Sequence, residues 1–308
     1  MREVPDHPVP SARARELVRG AYDPHVHVAP DFAPRRITDL ELAQRCDELG
    51  LAGFVLKSHY TSTAERAAVV RAAVPGVRAL GAITLNHSVG GLNGTAVEVA
   101  ARAGARIVWM PTVSSENEYG EVAHADPEGN VPVWVRFELE LRAAGARPRS
   151  VPVVDADGKP VPELLEVLEA VARNDIVLAT GHLSRDEIFA VVDAAVAAGV
   201  KTIVVTHPEF PSQRVPPEDQ QALAERGALL ERAFTTAYTG KCSWEAFFTA
   251  TRAVGARNTV WGSDLGQRFN PPVEDGLAIM ADKFLEAGFS EEEVRMMAVE
   301  NTRRVAGA

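Results

Sequence analysis

The chain has 308 residues, a formal net charge of −10 and a hydrophobic share of 46%, enough for two ordinary domains or for one large α/β barrel of about 250 residues. The negative balance argues against nucleic acid or an anionic membrane surface as the main partner. No apolar run reaches a membrane span, Met1–Gly20 lacks a hydrophobic signal core, and Cys46 and Cys242 form neither a disulfide framework nor a C-x-x-C, so a cytoplasmic protein acting on a small molecule is expected.

Residues 1–20 are rich in Pro, Arg and Glu and read as a leader, with Ser11–Arg19 as a short helix or tether. From residue 21 onward, apolar runs alternate with Ala-rich helical runs. The expected strands are Ala21–Val28, Gly53–His59, Val77–Leu85, Ala105–Met110, Ile176–His182, Lys201–His207, Ala228–Phe234 and Thr259–Asp264, the seventh having the weakest pattern. Between them, helices are expected at Ile37–Leu49, Glu65–Ala73, Ala96–Ala103 and Trp244–Val254, and at the C-terminus over Glu291–Val305. Ser184 and Glu187 fit a capping box that opens another helix. Strand–helix alternation of this kind predicts a (β/α)8 TIM barrel over residues 21–308. An open doubly wound sheet is the alternative, but no G-x-G-x-x-G follows the first strand.

One segment breaks the rhythm. Residues 111–161, after the fourth strand, are polar and rich in Gly, Pro and acidic side chains. They predict an insertion or lid with a short helix at Phe137–Ala144 and a hairpin over Val151–Pro162. Tyr119 and Trp134 in it either pack the insertion or cover substrate. A homo-oligomer is expected, with the insertion as its candidate interface.

The chemistry-bearing residues gather at strand ends. His25 and His27 are one residue apart, so a strand points both to one face. His182, His207 and Asp264 close the expected strands 5, 6 and 8. All five fall at the C-terminal mouth, where barrel enzymes build their sites, and imidazole with carboxylate is a donor set for a divalent metal. Zinc is the default ion, and manganese, iron and nickel fit the same ligands.

His25-Val26-His27, Thr180-Gly181-His182, Val205-Thr206-His207-Pro208, Trp261-Gly262-Ser263-Asp264 and the C-terminal Glu300–Gly307 resemble the amidohydrolase superfamily of metal-dependent hydrolases. The resemblance implies that His25, His27 and Asp264 bind one ion, with His182 and His207 holding a second or completing a mononuclear site. Dinuclear members bridge their ions with a carboxylated lysine or a glutamate from strand 4. This chain ends that strand Val108-Trp109-Met110 and carries Lys57 and His59 on strand 2 instead.

A lysine ammonium beside divalent ions is strongly repelled. Lys57 is therefore a carboxylated bridge between two ions, a deprotonated amine, a contact to an anionic substrate, or a side chain snorkelling from a strand end. His59, His87, Glu209 and Arg268 are candidate substrate contacts, and His7 and His124 read as non-functional. The expected reaction is hydrolysis of an amide, cyclic amide, lactone or related ester by metal-activated water, with Asp264 as general base and then acid. A metal-dependent decarboxylase, a phosphoester hydrolase and a catalytically inactive metal- or ligand-binding protein are the alternatives.

Overall fold

The computed structural model describes residues 7–119 and 133–308. Its eight strands are β1 Tyr22–Val26, β2 Gly53–Leu56, β3 Arg78–Thr84, β4 Ala105–Trp109, β5 Val177–Ala179, β6 Ile203–Val205, β7 Leu229–Ala233 and β8 Thr259–Gly262. They pair in parallel in sequence order. Closure between β8 and β1 occurs at the strand ends, where Val26 bridges Leu265. The His27 amide donates to the Leu265 carbonyl, and the Asp264 amide to the His25 carbonyl, both at 2.8 Å. The fold is a (β/α)8 barrel.

All eight expected strands are present, but most end earlier than their apolar patterns do. Of the residues that close those patterns, His59, His182, His207 and Asp264 turn out of the sheet into the mouth, while Val28, Leu85, Met110 and Phe234 stay in the apolar core. Gly181 shows why β5 stops: its φ is +62°, and a Cβ there would stand 2.3 Å from the Met110 carbonyl oxygen.

Local signals set most of the helices. Thr38–Glu41 and Ser184–Glu187 form capping boxes for the helices Asp39–Leu49 and Arg185–Ala197. The helix Trp244–Val254 has its expected bounds. The C-terminal helix is instead interrupted by a π-turn at Met296–Glu300, between Glu291–Arg295 and Asn301–Ala306. Asn301 Nδ2 beyond that turn donates to the carbonyls of Ala256, Arg257 and Thr259, tying the helix to the start of β8. Three further helices, Pro162–Arg173, Pro217–Glu225 and Gly276–Glu286, complete the outer layer.

Residues 11–17 pack onto the barrel. The helix Ala12–Leu17 is capped by Ser11, which also bonds Asp282 through its amide and hydroxyl at 2.7 and 2.6 Å. Within residues 111–161, where an insertion is expected, the described helix is Val133–Ala143. The expected hairpin reduces to one bridge, Val154 to Pro160, around the turn at Gly158. His124 lies outside the described residues.

Alternation along each strand sorts the core. Phe54, Leu56 and Trp261 face the helices, while Tyr22, Val55, Leu80, Ile107, Val177 and Val204 plug the barrel interior. Above that apolar plug the inward positions turn polar, and the candidate site begins there. No described helix is long and apolar enough to cross a membrane.

Candidate metal centre

The site is built on the β8–β1 seam. The two backbone bonds that close the barrel run through His25, His27 and Asp264, so closure and side-chain placement are one event. Asp23 reinforces the seam from below, its Oδ1 accepting from the amides of Ser263 at 3.0 Å and His25 at 3.2 Å. Burial raises the Asp23 carboxyl to about 6. Gly266 lets the chains approach, since a Cβ there would lie 1.5 Å from the His27 carbonyl oxygen at a φ of +135°. His207 and Asp264 take φ values of +25° and +52°, a conformation that costs of order 1–3 kcal/mol in a non-glycine residue and is met most often at functional sites.

The side chains converge. Asp264 Oδ1 lies 3.3 Å from His25 Nε2 and 3.2 Å from His27 Nε2. Each of these three residues offers a ligand atom within 4.8 Å of the others, so together they can hold a metal ion. His207 stacks near His25 with ring centroids 6.0 Å apart, and His182 lies 5.0 Å from His207. The structure thus gathers His25, His27, His182, His207 and Asp264 in one cluster.

Lys57 and His59 project into the same space. Lys57 Nζ is 2.9 Å from His25 Nε2 and 5.1 Å from the centroid of the Trp109 ring beneath it. Burial lowers its ammonium to about 8. His59 stacks on His27 at 5.0 Å and shares a 2.8 Å hydrogen bond between its Nδ1 and Thr112 Oγ1.

The remaining sequence candidates lie elsewhere. Glu209 is engaged by Arg232 at 2.7 Å and Gln220 at 2.9 Å. Because Arg232 alternates with the inward Glu231, this ion pair belongs to the outer side of β7. Arg268 is exposed and reaches the Arg35 carbonyl. His87 is exposed in the turn after β3, where its amide bonds Ser114 Oγ. His7 contacts the Tyr238 hydroxyl, away from the cluster.

Two carboxylates that sequence reasoning did not single out organise the cluster. Glu231, on β7 and 3% exposed, accepts from His25 Nδ1 at 2.8 Å and from the His207 amide at 3.1 Å. That bond fixes the proton of His25 on Nδ1 and leaves Nε2 as a lone pair, the arrangement by which carboxylates orient metal-binding histidines. Gly262 makes room for it, since a Cβ there would be 2.6 Å from Glu231 Oε1. Glu118 Oε1 lies 3.2 Å from His182 Nδ1 and accepts from Ser212 Oγ at 2.6 Å.

Electrostatics suit a cation. Burial pushes His27, His59 and His207 well below the ordinary imidazole range and His182 below it. The rings are therefore neutral, as metal ligands must be. Burial raises the Asp264 carboxyl, but its histidine neighbours outweigh that and hold it well below the usual carboxylate range. Nδ1 of His27 and of His207 is buried with no hydrogen-bond partner, a state that costs about 1–3 kcal/mol per group unless something else satisfies it. The donor set fits a divalent metal.

Comparison with solved structures gives the class of fold. An amidohydrolase from Pseudomonas aeruginosa superposes with a TM-score of 0.60 at 14% identity, over 96% of this chain and 99% of that one. Dipeptidase AC, a metallopeptidase, gives 0.56 at 14% identity over 94% and 100%. A 2,6-dihydroxybenzoate decarboxylase bound to 2,6-dihydroxybenzoate gives 0.54 at 12% over 94% and 100%. These likenesses show the fold, a (β/α)8 barrel like that of the amidohydrolase, the metallopeptidase and the decarboxylase. The chain belongs to a family of unknown function, DUF6282, whose model matches residues 20–231. No curated protein matches it in sequence.

Proposed function

We propose that this chain is a metal-dependent hydrolase that cleaves an amide, cyclic amide, lactone or related ester bond of a small molecule. The observation that carries the reading is the convergence of His25, His27 and Asp264 ligand atoms within 4.8 Å. These three would hold a divalent ion, with His182 and His207 completing its site or holding a second. Zinc is the ion we propose, since imidazoles with one carboxylate are its common donors. When bound, the ion supplies Lewis acidity and lowers the pKa of its water to about 7.

The chain's own groups account for the rest. Asp264 Oδ2 accepts from Thr235 Oγ1 at 2.9 Å, which orients the carboxylate while Oδ1 faces the histidines. Ionised at neutral pH, Asp264 accepts a proton from the attacking water and returns it to the departing nitrogen or oxygen. Glu231 keeps His25 in one tautomer throughout. His59, neutral and braced by Thr112, faces the substrate and hydrogen-bonds its carbonyl.

The test is elemental analysis combined with hydrolysis assays on N-acyl amino acids, cyclic imides and lactones. Asp264→Asn is expected to cut turnover by about 10²–10⁴-fold. Asparagine tolerates the left-handed backbone at this position, so the loss would report the carboxylate. Full metal content with full activity in that variant would sink the reading. Metal content measured with bicarbonate present also assigns Lys57. Two ions in wild type and fewer in Lys57→Ala make it a bridge; one ion in both makes it a substrate contact.

A further inference from the structure

Beside the histidine cluster lies a cavity of about 190 Å³ between the insertion helix Val133–Ala143 and the turns after β2 and β3. Tyr60, Asn86, His87, Ser114, Glu138 and Leu141 line it, with the exposed Arg147 also on its wall. We propose that this cavity is a substrate subsite for an ammonium or amidinium group, with Glu138 as its principal contact. The proposal rests on the hydrolase reading above for the bond that is cleaved, but the binding it describes does not require the metal.

Glu138 is 3% exposed, and its Oε2 has no hydrogen-bond partner. The Tyr60 hydroxyl is likewise buried without a partner. Two acceptor oxygens at one cavity are thus left unspent, a state that burial makes costly, most of all for a charge. The obvious internal partner, Arg142 one helical turn along, lies over the Tyr119 ring at 4.9 Å instead. No salt bridge joins it to Glu138 among the described residues.

The neighbouring wall is already satisfied. Asn86 Nδ2 donates to the His59 carbonyl at 2.8 Å and to Thr112 Oγ1 at 2.7 Å, while its Oδ1 accepts from the Thr112 and Ser114 amides. Asn86 is a rigid partition, and the open valences belong to Glu138 and Tyr60.

A cation supplies what these groups lack. Its N–H donors meet the carboxylate and the phenol oxygen, and the Tyr60 ring adds a cation–π face. Phe32 and Phe137 stand at 82° to that ring with centroids 4.3 and 5.0 Å away. The subsite adjoins the metal centre, because Tyr60 follows His59 with ring centroids 6.3 Å apart and His59 stacks on His27. A molecule of modest size can therefore place a labile carbonyl at one end and a cationic group at the other. A carboxylate in the same cavity would be repelled by Glu138.

The test is calorimetric titration of chelator-treated and zinc-loaded protein with benzylammonium, benzoate and benzyl alcohol. Benzylammonium should bind both forms saturably and more tightly than the alcohol, while benzoate should not bind the chelated form. Glu138→Gln, which keeps the shape, should weaken benzylammonium by about tenfold or more, and Tyr60→Phe should weaken it less. Unchanged affinity in a folded Glu138→Gln variant overturns the subsite, as does a preference for benzoate or the absence of saturable benzylammonium binding. Should Glu138→Gln fail to fold by circular dichroism, unchanged affinity in Tyr60→Phe serves the same purpose. Failure to load zinc with benzylammonium binding intact would refute the hydrolase reading and leave the subsite standing.

Discussion

The two sides of the barrel mouth differ in how firmly their carboxylates are held. On the β7–β8–β1 side each carboxylate is tied to backbone or to another side chain: Glu231 spans His25 and His207, Asp23 spans Ser263 and His25 through Oδ1, and Asp264 is held by Thr235 and the seam. What is left over there is Nδ1 of His27 and of His207 and Asp23 Oδ2. On the β2–β3 side, beneath the insertion helix, Glu138 and Tyr60 are buried with atoms left over. A tightly paired region is preorganised and cannot adapt to a ligand without losing bonds. A region with unspent valences gains by binding. On the reading proposed above, the first side carries the chemistry and the second selects the substrate.

The largest expected effect is at the seam. Gly266→Ala would drive a Cβ into the His27 carbonyl in a backbone region closed to alanine, at a cost of about 3 kcal/mol or more. A wild-type denaturation midpoint in this variant would mean that the seam yields and that the first side is not rigid.

Glu231→Gln comes next. Both carboxylate oxygens accept hydrogen bonds, and an amide offers only one acceptor, so either His25 or the His207 amide loses its partner. Metal affinity by chelator competition should fall about 10–100-fold, and unchanged affinity would remove Glu231 from the positioning role.

The smallest effect concerns the other side. Burial raises the Glu138 carboxyl above its ordinary 4.5. For an acid raised on folding, the stabilisation of the neutral form is complete below the unfolded value and is lost as pH climbs through the folded one. Glu138→Gln should therefore match wild-type thermal stability near pH 4 and slightly exceed it near pH 7. A variant less stable at neutral pH would show that the carboxylate already has a partner within the protein.

The barrel was legible because its signals are local and repeated. Alternation put His25 and His27 on one face, and the runs that stop at His59, His182, His207 and Asp264 end in polar residues that the fold brings into the mouth. Glu231 carried no such periodic mark. It sits in Leu229-Leu230-Glu231-Arg232-Ala233, the weakest strand pattern, beside an arginine that faces the other way. The usable signal was a charge inside an apolar strand, costly to bury without a partner. Glu209 and Arg268 follow His207 and Asp264 closely in sequence, yet the chain leaves the mouth within a few residues and carries both away. Glu138 lies in a helix whose docking depends on tertiary contacts, which periodicity does not report.

The seam has a consequence for the life of the protein. Because barrel closure and ligand alignment use the same backbone bonds, an ion that binds only the closed barrel also acts as a folding clamp. At a free concentration one hundred times its dissociation constant it would add about 2.7 kcal/mol to stability. Scarcity of the ion would then shorten the protein's lifetime as well as stop its turnover, so its cellular abundance would track metal supply.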